Sequence, residues 1–247
     1  MKTFKLLAIA AMMVVSTTVQ AKSKPGRGGA ADGWRTLYVQ WNPGSISPKK
    51  GDSQSFTGLS VGVSKAIRVS KSAPLYIEGG IGLQYSFYSE ETEQLDEGIS
   101  TEICEPENKF SMFSAKIPVS FIYNWKLPDT NVTVSPFAGL TLRFNFSGKI
   151  TTEYNWDQDY IEEHRDERMG DEEFEALYGD KEVNLFDKED MGSNDATWKR
   201  LQIGWQIGVN ARFSKKYLVG ISYGTDFSEI CKKTKIHTTS VTLGYCF

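Results

Sequence analysis

Eight stretches of the chain alternate apolar and polar residues with a period of two, the pattern of β-strands that present one apolar face. The first, near Trp34 to Asn42, puts Leu37, Val39 and Trp41 on one row. The second sets Leu59, Val61 and Val63 against Gly58, Ser60, Gly62 and Ser64. In the third, Leu75, Ile77, Ile81, Leu83, Tyr85 and Phe87 oppose Tyr76, Glu78, Gly82, Gln84 and Ser86. The fourth opposes Phe113, Ala115, Ile117, Val119, Phe121, Tyr123 and Trp125 to Ser114, Lys116, Pro118 and Ser120. In the fifth, Val132, Val134, Ala138, Leu140, Leu142, Phe144 and Phe146 face away from Thr133, Ser135, Thr141, Arg143 and Asn145. The sixth sets Leu201, Ile203, Trp205, Ile207, Val209 and Phe213 against Arg200, Gln202, Gly204, Gln206, Asn210 and Arg212. Tyr217, Val219, Ile221, Tyr223 and Phe227 oppose Gly220, Ser222, Gly224 and Asp226 in the seventh, and the eighth ends Val241, Leu243, Tyr245, Phe247.

Most of these runs reach the ~9–11 residues that a tilted membrane-spanning strand needs. From the third run to the seventh the apolar row carries no charge, as expected of a lipid face where a mid-depth Lys or Arg costs about 2–4 kcal/mol. The charges Glu78, Lys116, Arg143, Arg200, Arg212 and Asp226 fall on the other row among small residues, which predicts a narrow, ion-paired lumen. Connections of roughly 67–73, 126–131 and 214–216 are short, whereas 43–54, 90–108, 148–197 and 229–234 alternate with them; short periplasmic turns and longer external loops follow that rule. Outward aromatics gather at two levels: Tyr123, Trp125, Phe213, Tyr217, Tyr245 and Phe247 at one, Trp41, Tyr85, Phe87, Phe144, Phe146 and Phe227 at the other. The pattern predicts an all-β fold, an eight-stranded antiparallel up-and-down transmembrane β-barrel with a lumen filled by side chains rather than a wide pore.

Composition adds the route. Lys2 and Lys5, the apolar stretch Leu6 to Val15 and Val19-Gln20-Ala21 read as a secretory signal peptide over residues 1–21. A Gly-rich basic lead over 22–33 and the barrel over 34–247 follow. Export to the bacterial cell outer membrane is the expected localisation. No later stretch supplies the ~20 apolar residues of a spanning helix. The mean hydropathy of −0.37 is compatible with a barrel, because alternation hides its apolar residues.

Candidate chemistry lies outside the strands. The 148–197 connection holds 17 Asp and Glu against 5 Lys and Arg, a local net of −12 in a chain of net −3. Glu162-Glu163-His164 and Asp171-Glu172-Glu173 lack metal-site spacing, so a solvated, partly helical loop is expected and no metal or cofactor. Phe174, Leu177 and Tyr178 at helical spacing would pack that loop. Cys104 and Cys231 fall in external loops of an oxidising space and form a candidate disulfide across the mouth. Cys246 is left as a buried free thiol. His164 and His237 are the only near-neutral acid–base groups. No nucleophile elbow or zinc motif accompanies them, so no catalytic residues are assigned. A nucleic-acid role finds no support.

The closing Val241-x-Leu243-x-Tyr245-x-Phe247 resembles the signal that outer-membrane barrels present to their assembly machinery. Lys116-Ile117-Pro118-Val119 before an aromatic-rich stretch is similar to the equivalent strand of Bacteroidetes PorT-like, "porin family" outer-membrane proteins. The resemblance implies a small OmpA/OmpX-like barrel with partners in lipid, lipopolysaccharide and the assembly machinery. The expected role is structural or loop-mediated binding of an external ligand or protein. A lipid-modifying barrel enzyme and a soluble lipocalin-like carrier of hydrophobic ligands are the alternatives.

Overall fold

The structure is a computed structural model that describes residues 33–49, 53–91, 104–157 and 179–247. Residues 1–21, read above as a signal peptide, most of the expected lead, His164, Phe174, Leu177 and Tyr178 lie outside the described residues. Among the described residues ten strands occur in chain order: β1 (Trp34–Pro48), β2 (Gln54–Arg68), β3 (Leu75–Glu91), β4 (Cys104–Tyr123), β5 (Trp125–Lys126), β6 (Val132–Trp156), β7 (Lys181–Asn184), β8 (Leu201–Phe213), β9 (Tyr217–Asp226) and β10 (Thr234–Cys246). Eight of them close a ring, β1-β2-β3-β4-β6-β8-β9-β10, with every neighbour antiparallel. β10 shuts it against β1, pairing Val241 with Trp41, Leu243 with Val39 and Tyr245 with Leu37. Closure leaves no open edge, which lipid could not satisfy. The two extra strands are appendages of β6: β5 pairs with its periplasmic end and β7 with its external end.

Alternation sorts the two faces. Val39, Ile81, Leu140, Ile221 and Leu243 are each 53–55% exposed, while Ser60, Gln84, Arg143 and Asp226 on the opposite row are buried. A soluble barrel would show the reverse, so the lipocalin alternative fails on this point. From Leu75 to Tyr85 the outer row of β3 spans ten residue-to-residue steps; at ~3.3 Å each and a tilt of ~40° that is a band about 25 Å tall. At the periplasmic end Ser214 (φ 49°) and Lys215 (φ 60°) both adopt the left-handed region. Within the three-residue β8–β9 connection the Lys216 amide closes a turn on the Phe213 carbonyl at 2.9 Å, and its two left-handed central residues give the twist that flanking strands favour.

At the external end the strands outrun the expected loops. β1 and β2 leave only residues 49–53 between them, and β3, β4 and β6 continue well past the aromatic level. Residues 148–156, expected in an acidic loop, are strand, and 181–184 return to pair with them. No helix occurs among the described residues. A bulge at Phe146 marks the transition: Phe113 pairs with Ser147 but Ser114 with Asn145. One extra residue in β6 flips its parity. Below the bulge odd residues such as Arg143 and Asn145 point inward; above it Gly148 and Ile150 do.

Candidate functional site: the lumen and its capped mouth

The interior is layered from the periplasmic end upward. The Trp34 ring packs against Tyr76 at a tilt of 57° with centroids 4.8 Å apart, and the Arg212 guanidinium lies 3.9 Å over the Trp34 ring. Glu78 accepts a 2.6 Å hydrogen bond from the Ser64 hydroxyl on the neighbouring strand. Together with Ile122, Leu218 and Asn210 these residues nearly fill the section, leaving about 10 Å³. Cys246 is a buried free thiol 3.6 Å from the Thr36 hydroxyl.

Above this floor Tyr38 crosses the lumen over Gly62 and Gly82, which pair with each other across β2 and β3. A Cβ on either glycine would come within 2.8 Å of the Tyr38 hydroxyl, so only glycine leaves the ring its place. A cavity of about 70 Å³ remains here, lined by Tyr38, Glu78, Lys116, Thr141, Gln206 and Ser222 among others. Higher still, Arg143 Nη2 donates to both oxygens of Asp226 at 2.8 Å, with both side chains buried. An amide and hydroxyl layer surrounds them: Asn42 donates to Ser60 at 2.9 Å and accepts from Ser240 at 2.7 Å, and Asn145 donates to Gln202 at 3.2 Å.

The mouth is built differently. Ile46, Phe56, Phe110, Met112 and Ile236, all on inward positions of the ring strands, form a buried apolar cluster with Leu185 and Ile230. Leu185 arrives from the segment after β7, held by its amide on the Gly148 carbonyl at 3.0 Å. A Cβ on Gly148 would meet the Phe186 ring at 2.9 Å, so the glycine lets the segment lie flat on β6. Trp198 donates its amide to Leu185 at 2.8 Å and packs its ring 5.6 Å from Phe110. Lys199 N–H to Ile230 O (2.7 Å) and Lys232 N–H to Asp195 O (3.0 Å) tie the segment to the β9–β10 connection. Residues 185–199 therefore lie across the opening as a cap.

The expected site residues divide between these layers. Glu78, Lys116, Arg143, Arg212 and Asp226 point inward, but among the described residues the one ion pair between them is Arg143–Asp226. Arg200 is not lumenal. It precedes β8, is exposed, donates to the Phe146 carbonyl at 2.8 Å and covers the Phe186 ring at 4.5 Å. The cause is the bulge at Phe146, which turns the chain edge outward there. The Cys104–Cys231 bridge is not formed: Cys231 is a free thiol packed on the mouth cluster. Cys104 opens β4 opposite Trp156, and six residues of strand set it ~20 Å beyond Phe110, far outside the reach of a disulfide. His237 faces outward, with its Nδ1 3.0 Å from the Tyr223 hydroxyl. Val241, Leu243, Tyr245 and Phe247 lie on the outer row of the closing strand.

The cap residues Leu185, Met191 and Trp198 were missed because they sit in an acidic, irregular stretch with no periodicity. The inward cluster was legible. Ile46, Phe56, Phe110, Met112 and Ile236 keep the parity of the lumenal row but are apolar, a change of character that marks where the strands leave the membrane.

A family model described as outer membrane protein beta-barrel domain matches residues 37–230. The chain belongs to this outer-membrane β-barrel family. It is a protein of the bacterial outer membrane, and the ring, the apolar exterior and the polar interior are the family's architecture carried by these residues. No curated protein sequence matches it. Among solved structures it is similar to Ail of Yersinia pestis, crystallised with the heparin analogue sucrose octasulfate (10% identity, 87% of this chain and 99% of that one, TM-score 0.43). It is also similar to Neisserial surface protein A (14%, 86% and 97%, 0.41) and to the outer membrane enzyme PagL (13%, 84% and 97%, 0.40).

Proposed function

We propose that this outer-membrane barrel is sealed to solutes and works at its external face, as a rigid anchor for a binding surface. The observation that carries the reading is the cap: Leu185, Ile230 and Trp198 meet Phe56, Phe110 and Ile236 across the mouth, above a cavity of only about 70 Å³. A water needs about 10–15 Å³ of such space, so the interior holds a few waters and no continuous channel. Around the cap, β3, β4, β6 and β7 form a sheet that rises beyond the aromatic level. It carries Glu107, Lys109 and Glu153 in one ion-paired group and Lys149–Glu182 at 2.5 Å in another. That polar sheet, continuous with the acidic connection, is the surface offered to an external ligand or protein. Lipopolysaccharide meets the outer aromatic row, and the Val241–Phe247 row is the segment read by the assembly machinery. Among the described residues His237 is hydrogen-bonded to the Tyr223 hydroxyl and to no serine, cysteine or carboxylate side chain, which lends a lipid-modifying role no support.

The test is conductance. Purified protein in planar bilayers should show no stable ohmic steps, and liposomes carrying it should not swell in small sugars. Reproducible conductance steps from the full-length protein would overturn the sealed reading. Replacing residues 158–178 by a Gly-Ser linker should abolish capture of any external partner while leaving the heat-dependent gel mobility of the barrel intact.

A further inference from the structure

The charge count inside the sealed lumen does not close. Between the two aromatic levels the inner row carries Lys116, Arg143 and Arg212 against Glu78 and Asp226, an excess of one positive charge. Lys116 and Arg143 stand directly opposite each other on β4 and β6, a placement in which like charges repel. Asp226 gives both oxygens to Arg143 Nη2. Arg143 Nε and Nη1 are buried with no hydrogen-bond partner, and Lys116 makes no hydrogen bond or ion pair among the described residues. A buried guanidinium does not leave two nitrogens idle without cost. The space is present: a cavity of about 30 Å³ touches Lys116, Arg143, Thr141 and Thr225, with Asp226, whose carboxylate is held by Arg143, also on its wall. It shares Lys116, Thr141, Gln206 and Ser222 with the 70 Å³ cavity beside it.

We propose that a small monovalent inorganic anion of the halide class occupies this cavity, bound between Lys116 and Arg143. It would accept from the idle donors, neutralise the excess charge and screen the Lys–Arg repulsion. Hydroxyls of Thr141 and Ser222 complete a site with more donors than acceptors. Water alone supplies the hydrogen bonds but leaves Lys116 facing Arg143 with no ion between them. A divalent oxyanion would reverse the imbalance. Because the cap closes the mouth, the ion is taken up as the barrel folds rather than by diffusion into the finished protein.

The experiment refolds the full chain from denaturant into detergent or lipid with bromide as the sole halide, and records anomalous scattering from its crystals. A bromide peak within hydrogen-bonding distance of Lys116 Nζ and Arg143 is expected. Its absence in well-ordered wild-type crystals overturns the proposal. A second readout needs no crystal. Above saturation, each tenfold rise in chloride at constant ionic strength, balanced with sulfate, should raise the thermal midpoint by roughly 3–5 °C. Lys116→Met should lose that dependence. A wild-type midpoint indifferent to chloride, or an unchanged dependence in Lys116→Met, counts against the site. If Lys116→Met does not fold, the wild-type titration and the bromide peak decide alone.

Discussion

The spanning part of the barrel and its mouth are built on the same strands with opposite insides. Along β1 the inner row reads Thr36, Tyr38, Gln40 and Asn42 and then Ile46, while the outer row passes from Val39 and Trp41 to Ser45 and Ser47. Along β4, read outward from the membrane, Lys116 and Ser114 give way to Met112 and Phe110 inside, as Ile117 and Phe113 give way to Ser111 and Lys109 outside. β10 repeats it: Thr242 and Ser240 then Ile236 inside, Leu243 and Val241 then Thr239, His237 and Lys235 outside. The backbone ladder is continuous through the change. What differs is the solvent. Where lipid surrounds the strands the polar groups must turn inward and satisfy one another; where water surrounds them the hydrophobic effect restores an apolar core. One sheet therefore contains a membrane barrel and, above it, a water-soluble one.

The comparison breaks hardest inside the spanning part. Arg143→Met leaves the buried Asp226 without its partner, and an uncompensated buried charge costs about 3–5 kcal/mol. Equilibrium unfolding in urea with lipid vesicles should show that loss; a change under about 1 kcal/mol would mean that the pair is not buried as described. In the mouth, Leu185→Ala removes a fully buried side chain from the apolar cluster, a loss of about 2–5 kcal/mol for such truncations. Here the loss should be local. Amide exchange should quicken for Trp198, Lys199 and the residues of the cap while the β8–β9 hairpin keeps its protection, because the spanning ring does not depend on the cap.

A charge scan then tests where lipid ends. Ile221→Arg places a guanidinium on the outer row amid the lipid-facing residues of β9, with an expected cost of about 2–4 kcal/mol. Thr239→Arg, on the outer row of β10 above Val241, should cost within about 0.5 kcal/mol, as exposed substitutions do. Equal costs at the two positions would remove the boundary drawn by the change of polarity.

The spanning barrel was legible in the sequence because lipid enforces one rule at every second position over many residues. The charge-free row and the two aromatic levels followed from that rule. What was less legible follows other physics. Cys104 and residues 148–156 were read as loop because 148–156, with Ile150, Tyr154 and Trp156 on one row and Lys149, Glu153 and Asn155 on the other, run straight into the acidic stretch, and their pairing is visible only once β4 and β6 lie side by side. Arg200 was placed inside by extending a period of two through a position where the bulge in its neighbour ends the lumenal row. Leu185 and Trp198 reach the mouth through irregular backbone, for which no periodicity exists. The partner of Arg143 is a different case. Both charges are on the lumenal row, but choosing Asp226 rather than Glu78 required the stagger between β6, β8 and β9.

The smallest expected effect concerns the sheet that stands in water. Hydrogen bonds from Ser89 and Lys109 hold the Glu107 carboxyl below the usual carboxylate range, and hydrogen bonds to Glu153 and Glu107 hold the Lys109 ammonium above its usual range. A depressed carboxylate contributes stability above its unfolded pKa and loses it as pH falls through the lower folded value. A raised ammonium contributes below its unfolded pKa and loses it as pH rises through the higher folded value. The group is therefore intact across the neutral range and weakens at both extremes. These side chains are exposed, so solvent and salt screen them, and global unfolding should scarcely move. Amide protection at Ser89 and Lys109 should fall on the acid side as Glu107 protonates, and the fall should shrink at high salt, while protection at Leu83 and Val119 in the membrane band stays unchanged. Matching acid sensitivity at Leu83 would show that the sheet in water and the ring in lipid open together, as one cooperative unit rather than two.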